Sequence, residues 1–526
     1  MSKAGWLLPT LLALAACGQD EPAAVEPAEP AAARPVNILF IMSDDHAVQA
    51  VSAYGHPISQ LAPTPNIDRI AAEGMTFRNA FVTNSLCGPS RAAILTGKYG
   101  HINGFTRNGD VFDGSQWTWP RALKQAGYQT ALIGKWHLGP TPDGLDFDYF
   151  KIFNDQGEYY NPDFITADGM QRYEGYSSDL VTEFTLDWLE TGRDPDKPFV
   201  LFMHHKAPHR NWMPALRHAQ QYADTEFPVP ESYFDDYEGR AAAAAQEMNI
   251  YRDMYEGHDL KMTTAVGATE WRYDPWRHIV GRLRPEQRAE WDAAYQERND
   301  AMNAAGFDEQ EMALWKYQRY LQDYLATISA VDESVGRILT YLDESGLADD
   351  TLVVYTSDQG FYLGEHGWFD KRFMYEESLR TPMLIRWPGH IERGSASTAM
   401  VMNIDYAPTF LELAGLDVPA EIQGHSLADV MRDETPDDWR DSIYYHYYEF
   451  PGFHMVKAHY GVRNHRYKLI HFYDDIDAWE FFDLEKDPDE LHNLIDDPAY
   501  EDHIEAMRAE LESLRRQYRV PEEGTD

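Results

Sequence analysis

The stretch Val36-Asn37-Ile38-Leu39-Phe40-Ile41-Met42 is a short, mostly apolar run closed at once by Ser43-Asp44-Asp45. A run of this length with apolar residues at successive positions predicts a strand buried on both faces, the kind that parallel sheets use. Three more runs repeat the plan. Thr130-Ala131-Leu132-Ile133 leads into Gly134-Lys135-Trp136-His137. Phe199 to Met203 leads into His204, His205, Lys206 and Ala207-Pro208-His209, and Thr351 to Tyr355 is followed by Asp358-Gln359-Gly360. Helical segments separate them: one opened by Thr64-Pro65 and stopped at Gly74, one from Ser177 to Glu190, and one from about Tyr317 to Leu342. This alternation predicts an α/β layered domain. Ligands of such sheets bind beyond the carboxyl ends of the strands, and here four strands end in charged or imidazole side chains. Their convergence on one rim predicts an active site.

The texture changes at about Asp437. Ser442–Tyr448, Tyr460–Arg463, Tyr467–Phe472 and Phe481–Asp483 read as short antiparallel strands, followed by a helix from about Asp502 to Tyr518. The expected organisation is a catalytic domain over 35–436 and a smaller C-terminal α+β domain over 437–526, in keeping with a chain too long for one simple core. Residues 210–313, rich in Ala and Tyr, read as a strongly helical insertion. No internal repeat is visible.

The N-terminus has a purpose other than folding. Lys3 precedes an apolar run, Trp6 to Ala16, too short to span a bilayer and suited to a signal-peptide core. Leu14-Ala15-Ala16-Cys17 resembles a bacterial lipobox, which implies processing within 1–17 and a lipid anchor on Cys17. Residues 18–34, rich in Ala, Pro and Glu, cannot bury a core and read as a flexible tether. The expected location is therefore that of an exported bacterial lipoprotein, periplasmic or at the outer membrane or cell surface.

With 45 basic against 87 acidic side chains the formal charge is −42. A field of that sign disfavours nucleic acid as a partner, and any anionic substrate must find a locally basic pocket. The chain has two cysteines, Cys17 and Cys87. If Cys17 carries lipid, Cys87 has no disulfide partner in an oxidising compartment. Such a residue is either buried or no longer a thiol.

Cys87 opens Cys87-Gly88-Pro89-Ser90-Arg91-Ala92-Ala93-Ile94-Leu95-Thr96-Gly97-Lys98. Pro89 suits the first turn of a helix, so residue 87 is expected beside a helix N-terminus, where free N–H groups favour an anion. Arg91 is placed to reach back to it. This segment resembles the signature of the formylglycine-dependent sulfatases of the alkaline phosphatase-like superfamily, and the resemblance extends over nearly the whole chain from Val36. It implies a large α/β/α sandwich with a mixed, mainly parallel sheet, and a Cys87 oxidised to formylglycine by a maturation enzyme.

Asp44, Asp45, Asp358 and Gln359 are oxygen donors, the type that hard cations select. The resemblance implies that they hold Ca²⁺, with Mg²⁺ as the other candidate, together with modified Cys87. Gln359 stands where relatives also carry Asn or His. Lys135, His137, His209 and Lys371 match the family's sulfate-site residues. The implied roles are Asp358 as proton acceptor near the nucleophile, Lys135, Lys371 and Arg91 as the positive pocket, His209 as acid toward the departing alcohol, and His137 as base that re-forms the aldehyde.

For the substrate, the chain resembles bacterial carbohydrate sulfatases of the N-acetylglucosamine-6-O-sulfatase group. This implies a sulfated glycan, with 6-O-sulfated glucosamine or N-acetylglucosamine as first choice. Trp212, Tyr362, Trp368, Phe373 and Tyr375 are candidates to line a sugar cleft by stacking, and His446, Glu449, His454 and His459 to add polar groups. The alternatives are an arylsulfatase or phosphonate monoester hydrolase of the same family, and a surface glycan-binding lipoprotein with a dead site.

Overall fold

The computed structural model describes residues 1, 2, 5, 35–142, 144–262 and 280–521. The signal-like segment, Cys17, the tether and part of the insertion lie outside the described residues. From Pro35 onward the chain forms one compact unit.

Its frame is a ten-stranded sheet built from β1 (Asn37–Ser43), β2 (Met75–Phe81), β3 (Gln129–Gly134), β4 (Tyr149–Phe153), β5 (Asp163–Thr166), β6 (Gly169–Arg172), β7 (Phe199–His204), β8 (Thr351–Ser357), β9 (Met383–Arg386) and β10 (Ser395–Met402). The order is β10-β2-β9-β8-β1-β7-β3-β4-β5-β6. The inner strands β8, β1, β7, β3 and β4 are parallel, and β9, β5 and β6 pair antiparallel. The mixed, mainly parallel sheet expected from the sequence is therefore present.

Alternation along the strands builds two cores. Leu39, Ile41, Leu201, Met203 and Val353 face helices Ser177–Asp187 and Glu309–Glu344, meeting Val181, Val331, Val335 and Ile338. Ile38, Phe40, Met42, Val200 and Phe202 face the other way, against Ala92, Trp119 and Phe410 of helices Cys87–Thr96, Trp119–Gln125 and Tyr406–Leu413. Each fully buried aliphatic or aromatic side chain contributes about 1.5–3 kcal/mol. Burial on both faces explains why these strands read as continuous apolar runs rather than as alternating ones.

A second sheet is an antiparallel meander of β11 (Ser442–Tyr447), β12 (His459–Asn464), β13 (Tyr467–Phe472) and β14 (Ala478–Asp483). Helix Glu501–Gln517 buries Ile504, Met507, Leu511 and Leu514. Among its described residues the insertion is less helical than its composition suggests. Between 210 and 249 the backbone is mostly turns with short 3-10 segments, because Pro214, Pro228, Pro230 and Gly239 interrupt any longer helix; a long helix appears at Pro285–Ala305.

Candidate active site

Strand register brings the predicted residues together. Ser43 at the end of β1 pairs with Ser357 at the end of β8, so Asp44 and Asp358 leave the sheet side by side. Gly134 at the end of β3 pairs with His204 at the end of β7, which brings Lys135 to the same rim. Only glycine fits there: a Cβ on Gly134 would lie 1.8 Å from the His204 carbonyl oxygen, at a φ of +102°.

Asp44, Asp45 and Asp358 are fully buried, and one oxygen from each lies within 4.8 Å of the others. Cys87 is the first residue of helix Cys87–Thr96 and only 1% exposed. Its Sγ, with Asp44 and His209, forms a second such group. The helix start is pinned from several sides. The Gly88 N–H donates to Asn108 Oδ1 at 3.0 Å, the Asn108 N–H donates to Glu449 at 2.9 Å, and Ser90 Oγ donates to the Asp358 carbonyl.

Basic side chains surround the carboxylates. Lys135 Nζ pairs with Asp44, and Lys371 Nζ lies 2.6 Å and 2.7 Å from the two oxygens of Asp45. Arg91 differs from expectation. Its guanidinium donates to Asp358 through Nε at 3.0 Å and to the Lys135 carbonyl at 3.1 Å, so it organises the carboxylate and lysine rather than gripping residue 87. Gln359 Nε2 donates to Asp45 and lies 3.9 Å from Cys87 Sγ. His209 Nε2 faces Asp45 at 3.8 Å, and His137 Nε2 is held by Gln156 at 2.8 Å while its Nδ1 has no partner. These contacts join nine of the ten predicted side chains, and His137 stands close enough to feel the charges of Lys135 and Asp44.

Its electrostatics follow from burial and crowding. Burial opposes ionisation of Asp44, but Lys135, His209, Arg91 and Lys371 outweigh it and hold the carboxyl well below the usual range. Burial pushes Asp45 upward; Lys371 pulls it back, while Asp44 and Asp358 push it up again. Burial and the neighbouring Asp44 likewise raise Asp358. Asp45 and Asp358, which resist ionisation beside a charged Asp44, together with Gln359 Oε1, buried and without a hydrogen bond among the described residues, are a donor set fitted to a hard divalent cation. Burial pushes the Cys87 thiol up to about 12, so an unmodified Cys87 is neutral and a poor nucleophile.

The aromatic cleft expected from the sequence is not found. Trp212, Tyr362, Trp368, Phe373 and Tyr375 are all fully buried, and Trp368 stacks on Phe373 and Tyr375 as part of the core. His446 and His459 are also structural, bonded to Tyr444 and Tyr473 and to the Met374 amide. His454 does reach the rim, with Nε2 3.3 Å from Asp370 beside Lys371. Sequence reasoning missed Asp370, which also pairs with Arg372, and missed Asn108 and Gln156. The adjacency of Asp370 and Arg372 to Lys371 was the available signal; the other two stand in loops without pattern.

A fold of this topology, with a cysteine at a helix start beside three buried carboxylates, defines a class. The family model described as Sulfatase matches residues 36–416, and that described as N-sulphoglucosamine sulphohydrolase, C-terminal, matches 364–517. The chain belongs to the sulfatase family and is a sulfuric ester hydrolase.

Among its relatives is an N-acetylglucosamine-6-O-sulfatase of Bacteroides thetaiotaomicron, 49% identical over 490 residues, covering 92% of this chain and 87% of that protein. An arylsulfatase of Clostridium perfringens is 27% identical over 521 residues, covering 90% of this chain and 92% of that protein. A solved structure of a protein in complex with its substrate D-glucosamine-2-N,6-O-disulfate matches with a TM-score of 0.89 at 48% identity, over 93% of this chain and all of that one.

Proposed function

We propose that the chain removes the 6-O-sulfate from N-acetylglucosamine or N-sulfoglucosamine units of a glycosaminoglycan-type polysaccharide. The observation that supports this reading is the 49% identity, over 92% of the chain, to a protein named for that activity. The match to a solved complex holding a 6-O-sulfated glucosamine points the same way.

Asp44, Asp45, Asp358, Gln359 and modified Cys87 would hold a divalent cation, Ca²⁺ in our reading. When bound, that ion polarises the sulfuryl oxygens. Cys87, converted to formylglycine by a maturation enzyme, supplies the attacking hydroxyl that its neutral thiol cannot. Asp358, fixed by Arg91, accepts the proton of that hydroxyl. Lys135 and Lys371 meet the charge that develops on the sulfuryl group. His209, as the imidazolium, gives its Nε2 proton to the leaving alcohol and becomes the neutral ring that keeps its Nδ1 proton on the Arg210 carbonyl. His137 is the base that takes the second proton, and the Gln156 side-chain amide, 2.8 Å from its Nε2, orients its ring. Asp370 and His454, paired beside Lys371, would meet the sugar ring. The Cys17 lipid anchor and export to the cell envelope complete this reading, placing the enzyme where polysaccharide is met.

The test is a kinetic panel with converted enzyme: glucosamine 6-sulfate, N-acetylglucosamine 6-sulfate, the 2-N,6-O-disulfate, 2-O- and 4-O-sulfated sugars, an aryl sulfate and an aryl phosphonate. The 6-O-sulfated glucosamines should show the highest kcat/KM. A preference for the phosphonate, or for 2-O- or 4-O-sulfate, overturns the assignment.

A further inference from the structure

The insertion reaches the catalytic rim through a buried ion pair. Arg210, next to His209, donates through Nε and a terminal nitrogen to the two oxygens of Asp259 at 2.8 Å and 2.6 Å. Asp259 is fully buried and also accepts from His258 Nδ1 and the Tyr255 N–H, each at 2.7 Å. Two residues on, Lys261 Nζ donates to the carbonyls of Asn211 and Trp212 at 2.7 Å and 2.8 Å, and Asp323 of helix Glu309–Glu344 balances its charge at 3.1 Å. The 210–212 backbone is therefore clamped from the insertion.

That clamp bears directly on His209. His209 Nδ1 lies 2.8 Å from the Arg210 carbonyl oxygen. A carbonyl only accepts, so Nδ1 carries the proton of this bond and Nε2 is the nitrogen turned to the site. The Tyr159 hydroxyl fixes the His209 carbonyl at 2.6 Å. Proton delivery depends steeply on such placement.

We propose that Asp259, acting through Arg210, is a positioning residue for the leaving-group proton, and that orienting His209 is a function of the insertion. This rests on the general-acid reading of His209. An ion pair that merely stiffens the insertion would slow all substrates alike. A positioning role spares substrates whose leaving group departs without a proton.

The experiment compares kcat and KM of converted wild type, Asp259→Asn, Arg210→Lys and His209→Ala on glucosamine 6-sulfate and on 4-nitrocatechol sulfate, with thermal melting of each. The Asp259 and Arg210 variants should lose about 10- to 100-fold in kcat on the sugar sulfate, with KM and the aryl rate within about 3-fold. Equal losses on both substrates, or no loss, in folded Arg210→Lys and Asp259→Asn overturn the proposal while His209→Ala still discriminates. If His209→Ala itself fails to discriminate, the general-acid reading falls and takes the proposal with it.

Discussion

Lys371 Nζ stands between the two oxygens of Asp45, at 2.6 Å and 2.7 Å, with both residues sealed from solvent. Burial works against the ammonium charge, yet Asp45, Cys87 and Asp44 together raise the Lys371 pKa. Removing either partner leaves an uncompensated buried charge, a loss of about 3–5 kcal/mol. Lys371→Ala should therefore abolish turnover and lower the melting temperature. Added Ca²⁺ should recover part of the melting loss, because a cation beside Asp45 restores the balance, but none of the rate. Full activity in the variant would remove Lys371 from the site.

Cys87 is buried at a helix start, and serine and alanine are no larger, so they fit without displacing neighbours. Cys87→Ser and Cys87→Ala should melt within a few degrees of wild type and show no turnover. Peptide mass spectrometry of native material should find residue 87 as the aldehyde. A quantitative thiol in active enzyme would contradict the nucleophile assignment.

Prolonged dialysis against EDTA should remove activity and lower the melting temperature, since three crowded carboxylates then lose their counter-ion. Ca²⁺ should restore both. Indifference of both readouts to chelation would show that Lys135, Lys371 and Arg91 suffice to balance the carboxylates.

Trp368 tests the core against the cleft. Fully buried and stacked on Phe373 and Tyr375, it should cost about 3–5 kcal/mol when changed to alanine. Enzyme that remains folded should keep its KM for sugar sulfates. A KM rise without loss of stability would restore the stacking role.

Glu480 gives a pH signature away from the reaction. Burial pushes its carboxyl up to about 7, eased by the Tyr375 hydroxyl at 2.7 Å and by Arg240, and raised again by Glu490. The folded protein thus prefers the protonated acid. This contribution is fully present below the unfolded pKa near 4.5 and is lost as pH rises through about 7. Glu480→Gln should gain on wild type between pH 5 and pH 8 by on the order of 2 kcal/mol in urea unfolding. Parallel curves across that range would contradict the shift.

Much of this was legible in the sequence, for identifiable reasons. A strand buried on both faces has a composition few other elements share, and Asp44, Lys135, His209 and Asp358 stand directly or closely behind such runs. β13 has the bounds its residues suggest, Tyr467–Phe472. The aromatics were ambiguous because Trp368 in a core and Trp368 in a cleft have the same sequence neighbours; only the second sheet, packed over them, decides. The reach of Arg91 depended on where Asp358 lay, 267 positions away in the chain. Asp259 and Gln156 act from loops, where no periodicity marks a residue that touches the site.

The pairing of Ser43 with Ser357 has a wider consequence. Asp44 and Asp358 are each one peptide beyond that pair, so the spacing of the anchors for the cation is ruled by the hydrogen-bond ladder of the frame itself. Slipping one strand by a single residue would turn its carboxylate to the opposite side of the sheet. Chemistry is thereby locked to architecture, and the loops above it stay free to vary the sugar they admit.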